Sequence, residues 1–156
     1  MILVDYFLNG KTITPNQMEV QISGAISFET QHGYKQDVTV EQLKQIAADV
    51  YGLQGTVLSD VSILSLKQQL AKGHPVILPL AGRMLKNPYF SGDGPWYHML
   101  VVIGYDGTSF ITNDVGTKRG AQYHYPYDTL ITAIHDWVGA DDMIATGPKR
   151  MLVLSK

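Results

Sequence analysis

The chain has no cysteine among its 156 residues. Disulfides, thiolate zinc sites and a cysteine nucleophile are therefore excluded within it. Charge is sparse as well: 12 Lys and Arg stand against 14 Asp and Glu, a net charge of −2. The basic residues form no stripe, so no field gathers phosphates and nucleic acid is not an expected partner. The longest apolar runs, such as "HMLVVIG" and "HPVILPLAG", fall far short of the roughly 20 residues that cross a bilayer, so no membrane insertion is expected in this segment. The opening "MILVDYFLNG" has neither the basic start nor the small-residue cleavage site of a signal peptide. No repeat, low-complexity tract or interdomain linker interrupts the chain.

What is present suits a globular domain. An apolar content of 45% with 17% charged residues lies away from the disordered and membrane classes, and the length suggests a single domain over residues 1–156. "MILVDYFL" reads as a mostly buried helix closed by Asn9-Gly10. It starts at full hydrophobicity with no capping residue, as the C-terminal part of a longer helix would. Residues 15–28 suit a second helix, with Pro15 in its first turn. In "DVTVEQLKQIAADVYG", Thr39 and Gln42 form a capping-box pattern, and Leu43, Ile46, Ala47 and Val50 follow at helical spacing.

Further on, "GTVLS" reads as a short strand and "VSILSLKQQLAKG" as a helix. "HPVILPLAG" reads as a buried strand that bends or ends at Pro79. Residues 82–96, "GRMLKNPYFSGDGPW", are too rich in Gly and Pro for a regular element, yet carry enough apolar side chains to be an ordered loop over a cleft. "YHMLVVIGY", "TSFITND" and "AQYHY" predict a three-stranded meander, with Asp106-Gly107 a turn signal. A helix over about 127–137 and the terminal strand "RMLVLS" complete an α+β arrangement of N-terminal helices packed on an antiparallel sheet.

Of five histidines, His98 is placed most like a catalytic group, since it opens a buried strand directly after the long loop. The plainer alternative is a histidine that only hydrogen-bonds the loop. A base histidine needs a group that fixes its tautomer, and Asn113 and Asp114 both qualify. A two-residue turn at Asp106-Gly107 puts Asn113 on the face of His98, whereas an odd-length connection puts Asp114 there. Trp96 and Tyr97 would wall an extended-peptide cleft, or else serve loop packing. His124 reads as a sheet-surface residue and His135 as part of a solvent-facing pair with Asp136. His32 and His74 lack partners at metal spacing. "GTKRG" lacks the spacing of a phosphate loop and reads as a basic turn. No metal or cofactor is expected.

The ordered series "LKQQLAKGHPVILPL", "HMLVVIGYDG" and "FITNDVGT" resembles the second half of bacterial papain-like cysteine peptidases of the double-glycine leader (bacteriocin-processing) type, in particular their stand-alone branch. The resemblance covers about residues 60–137 and implies a papain-like fold, a Cys-His-Asp triad and a peptide or protein substrate. It puts His98 in the general-base position and Asp114 in the orienting position. It also implies the exported or cell-envelope setting common in that family. The sequence departs from the pattern twice: Asn-Asp-Pro is Asn-Asp-Val here, and the family's cysteine, with the glutamine before it, is missing. The uncapped first helix resembles the family's cysteine helix after its first turns, so the nucleophile segment is expected to lie upstream. The chain as given is then inactive. A non-catalytic peptide-binding pseudo-peptidase is the alternative.

Overall fold

The computed structural model describes residues 1–10 and 12–156. Three helices come first: α1 (Ile2–Asn9), α2 (Pro15–Gln31) and α3 (Val40–Tyr51). Helix α1 has no side-chain cap and ends at Gly10 in the left-handed conformation. Capping boxes start the other two, Thr14 with Gln17 and Thr39 with Gln42, each satisfying backbone donors that the first helical turn leaves free. Helix α2 runs three residues beyond the expected end. None of its residues is buried, so its C-terminal stop is set by local hydrogen bonding rather than by packing.

Strand β1 (Gln54–Leu58) and helix α4 (Ile63–Ala71) lead into β2 (Val76–Ala81). After the long loop come β3 (Tyr97–Tyr105), β4 (Ser109–Asn113), β5 (Tyr123–Pro126), α5 (Tyr127–Ala133) and β6 (Met151–Ser155). The six strands form one sheet in the order β1-β6-β2-β3-β4-β5, with antiparallel pairing throughout. The fold is thus α+β, as the pattern of elements implied. None of the described helices is long and apolar enough to cross a membrane.

Alternation along the central strands builds a core on each face. Val76, Leu78, Leu80, Leu100, Val102, Met151 and Val153 pack with Leu66 and Leu130, under α4 and α5. Ile77, Val101, Leu152 and Leu154 point the other way, to Val4 of α1 and to Val40 and Ala47 of α3. This two-sided burial explains why β2 is buried at every position, as one central strand with apolar layers on both sides must be.

Two expectations about this region need correction. Strand β2 passes straight through Pro79, which pairs with Met99. The backbone N and C=O of one antiparallel residue point to the same side, and the Pro79 carbonyl accepts from the His135 backbone N–H at 3.1 Å. The missing N–H therefore faces away from β3 and costs that ladder nothing. Strand β6 pairs with β2 only at Val76 and Ile77, so it loses no bond there either. The second correction is α5, which stops at Ala133. Ile134 turns extended and bridges Leu80, because the chain is recruited to the open side of β2.

Candidate functional site

The β3–β4 hairpin sets the site, and its register depends on one residue. The connection between Tyr105 and Phe110, which pair directly, is four residues long. Asp106 organises it, its carboxylate accepting from the backbone N–H of Thr108 and of Ser109, both at 2.7 Å. An even connection alone would leave Asn113 on the face of His98. A bulge between Val102 and Gly104 shifts the register, so that Val101 rather than Val102 pairs with Asn113. The extra residue, Ile103, turns the parity over and brings Asp114 to the face of His98.

His98 Nε2 and Asp114 Oδ1 lie 2.6 Å apart. Asn113 takes the opposite side, where its amide oxygen accepts from the Gln122 backbone N–H at 3.1 Å, so the alternative of Asn113 as orienter does not hold in this geometry. The Asp114 side chain is fully buried, while that of His98 keeps 12% exposure. Asp114 Oδ2 accepts from the Tyr125 hydroxyl at 2.5 Å and from Asn87 Nδ2 at 3.0 Å, and Asn87 Nδ2 also donates to the Tyr125 oxygen at 2.6 Å. Burial by itself raises the carboxyl's pKa. The hydrogen bonds from His98, Tyr125 and Asn87, together with attraction to His98, outweigh burial and hold Asp114 below the ordinary carboxylate range. Tyr125 is pushed the other way, by burial and by the carboxylate it serves.

Two glycines let the backbone close around the pair. A side chain at Gly120 would put its Cβ 1.7 Å from the Asp114 carbonyl oxygen, and the Asp114 N–H donates to the Gly120 carbonyl at 2.8 Å. The Asp114–Gly120 loop is therefore drawn tight. At Gly82 a Cβ would meet the Pro95 carbonyl oxygen at 2.6 Å and His98 Cβ at 3.1 Å, so only glycine lets the long loop return beside the histidine.

His98 looks into an open cleft of about 600 Å³. Its lining includes the segment Gln36–Val38 and, from the long loop, Phe90, Ser91 and Pro95. The Phe90 ring meets the imidazole edge-on, with centroids 5.3 Å apart. Tyr97 also lines the cleft, and its hydroxyl donates to the Val38 carbonyl at 2.9 Å. Trp96, the other expected cleft residue, lies outside the lining and stacks on the Arg83 guanidinium at 3.5 Å.

Since Asp114 holds Nε2, Nδ1 is the ring nitrogen left to exchange a proton with a reacting group. The arrangement is an imidazole held by a carboxylate, which is itself held by an amide and a phenol. Asn87 and Tyr125 did not stand out in the sequence. Tyr125 carried a usable signal, since it pairs with Phe110 on the His98 face once the register is known. Asn87 carried none, because its partner lies 27 residues away.

A second buried carboxylate, Asp136, was expected to face solvent beside His135. It is 1% exposed, because the chain after α5 turns inward rather than continuing the helix. Its Oδ1 accepts from the Val40 backbone N–H at 3.0 Å and the Trp137 N–H at 2.9 Å, and Arg150 lies 3.6 Å from Oδ2. It caps the start of α3 and ties it to the segment after α5. His135 is half-buried with Nδ1 2.8 Å from the Gly147 carbonyl. His124 is exposed beside Asp106, at 2.9 Å, as expected of a sheet-surface residue.

The layered α+β fold with a carboxylate-held histidine at the start of a sheet strand places the molecule among papain-like peptidase domains. The model of the Peptidase_C39 like family matches residues 3–141, and the chain belongs to that family. Among solved structures it is similar to a candidate C39-like peptidase from Bacillus anthracis, with a TM-score of 0.52 and 19% sequence identity. That likeness covers 76% of this chain and 60% of the other, so the chain spans about three fifths of that relative's length. No curated protein sequence matches it.

Proposed function

We propose that this chain forms the base-bearing part and peptide cleft of a papain-like cysteine peptidase of the double-glycine type. His98 is the general base through Nδ1, Asp114 orients it through Nε2, and the substrate is a peptide or protein segment lying along the cleft. The observation that carries this reading is the 2.6 Å contact of His98 with a buried, triply hydrogen-bonded carboxylate at the wall of that cleft.

The 156 residues contain no cysteine, and in this chemistry the histidine serves to generate a thiolate. These residues by themselves therefore bind peptide without cleaving it by covalent catalysis. The same absence favours a second reading, a pseudo-peptidase that keeps the cleft for recognition.

The codons preceding Met1 separate the two. An in-frame Gln and Cys a few residues apart supports the peptidase; a stop codon or a cysteine-free extension there leaves recognition alone. If that cysteine exists, the longer chain should be alkylated by iodoacetamide near neutral pH, and His98→Ala should slow the reaction markedly. An unchanged rate in His98→Ala would overturn the role given to His98.

A further inference from the structure

The cleft beside His98 has one carboxylate on its wall and no Lys or Arg in its lining. That carboxylate is Asp37, which is half-buried. Its backbone is pinned just beyond it, where Val38 is buried and its carbonyl accepts from Tyr97 at 2.9 Å, while Val40 N–H donates to Asp136. The segment is therefore anchored on the C-terminal side of Asp37. No hydrogen bond or ion pair reaches it among the described residues. Burial, and then the neighbouring Asp141, push its carboxyl up from the ordinary value. A charged group partly withdrawn from water and left uncompensated favours any cation that can enter beside it.

We propose that Asp37 makes this cleft selective for a peptide bearing a cationic nitrogen, a lysine or arginine side chain or a free α-amino group, seated between Asp37 and His98. This rests on the reading of the cleft as a peptide site. An ordinary alternative role for Asp37 is to favour the start of α3 through its negative charge, two residues before the Thr39 cap. That role would affect stability but not peptide choice.

The test is an NMR titration of the 156-residue protein with blocked hexapeptides of alanine and glycine carrying either lysine or norleucine at one position. A third peptide has a free N-terminus and no lysine. The lysine peptide should bind about fivefold more tightly than its norleucine twin, the effect of one partly exposed ion pair, with shifts at Asp37 and His98. In Asp37→Asn the preference should vanish while norleucine binding holds. In Asp37→Lys it should pass to a glutamate peptide. A preference that follows the free N-terminus instead of lysine assigns the cation to the α-amine and supports the same selectivity. Equal binding of charged and neutral peptides, or a preference that survives in Asp37→Asn, overturns the inference and leaves the cleft reading intact. Absence of any shift at cleft residues with every peptide overturns both.

Discussion

Tyr125→Phe removes one oxygen and leaves the ring, so it probes the support of Asp114 with little change in packing. The lost hydroxyl donates to Asp114 Oδ2 at 2.5 Å and accepts from Asn87 at 2.6 Å. A hydrogen bond to a charged group contributes about 1.5–3 kcal/mol net, and a neutral one about 1 kcal/mol. Asn87 still reaches the carboxylate at 3.0 Å and limits the damage. The expected loss is about 2–3 kcal/mol, a large part of the roughly 5–15 kcal/mol that holds a domain together. At about 2–4 °C per kcal/mol for a chain of this size, the melting temperature should fall by about 5–10 °C.

The acid limb gives a sharper version. The folded-state pKa of Asp114 lies below its ordinary value, so its ionised form stabilises the fold above about pH 3.9, and that contribution is lost as pH falls through the lower folded value. Removing the phenol makes the depression smaller. The gap between wild type and Tyr125→Phe should therefore be full at neutral pH and narrow below about pH 4. Urea unfolding followed by the fluorescence of Trp96 and Trp137 measures it at each pH. A loss under about 0.5 kcal/mol at pH 7, or a gap that widens on acidification, would refute the hydrogen-bond account of the site.

Gly120→Ala should cost more than 3 kcal/mol or prevent folding, because no flexible side chain can absorb a Cβ placed 1.7 Å from the Asp114 carbonyl oxygen; a melting temperature within about 2 °C of wild type counts against the tight loop. Asp136→Ala should destabilise by about 3 kcal/mol, since it leaves one buried and one partly buried backbone donor without their acceptor and Arg150 without its partner. Asp136→Asn keeps an acceptor in place and, because burial already pushes that carboxyl up, should cost only about 1 kcal/mol. Equal losses in the two Asp136 variants, read from the same urea curves, would show that charge rather than hydrogen bonding matters there.

The parts of the fold legible in the sequence are those governed by neighbours along the chain. Capping boxes at Thr39 and left-handed glycines at positions 10 and 52 mark helix ends because their hydrogen bonds close within a few residues. The meander was legible for the same reason. Pro79 misleads in the sequence because a proline breaks a strand only if its missing N–H faces a partner, and which side faces a partner is a property of the assembled sheet. Asp136 misleads in the sequence because the donors that reach its carboxylate come from residue 40 and residue 150. A local pattern cannot show that the chain turns inward after Ala133.

The pairing of His98 with Asp114 falls between these cases. Parity within each strand is local, but the relation between the two strands depends on every residue inserted between them. The Asp106-Gly107 turn signal marks the place and the even parity of the connection, but the connection is four residues long rather than two. Ile103, a β-branched residue of ordinary strand character, gives no sign that it stands in a bulge. A contact that depends on sharing a face is thus decided by a single inserted residue. The surroundings of the pair are costly to build: a buried carboxylate needs hydrogen bonds to offset its desolvation, and neither apolar core includes His98 or Asp114. Three donors converge on Asp114, and one of them, the His98 imidazole, keeps its other ring nitrogen for the cleft. That is more organisation than packing requires, and it is the geometry a peptide-directed base would use.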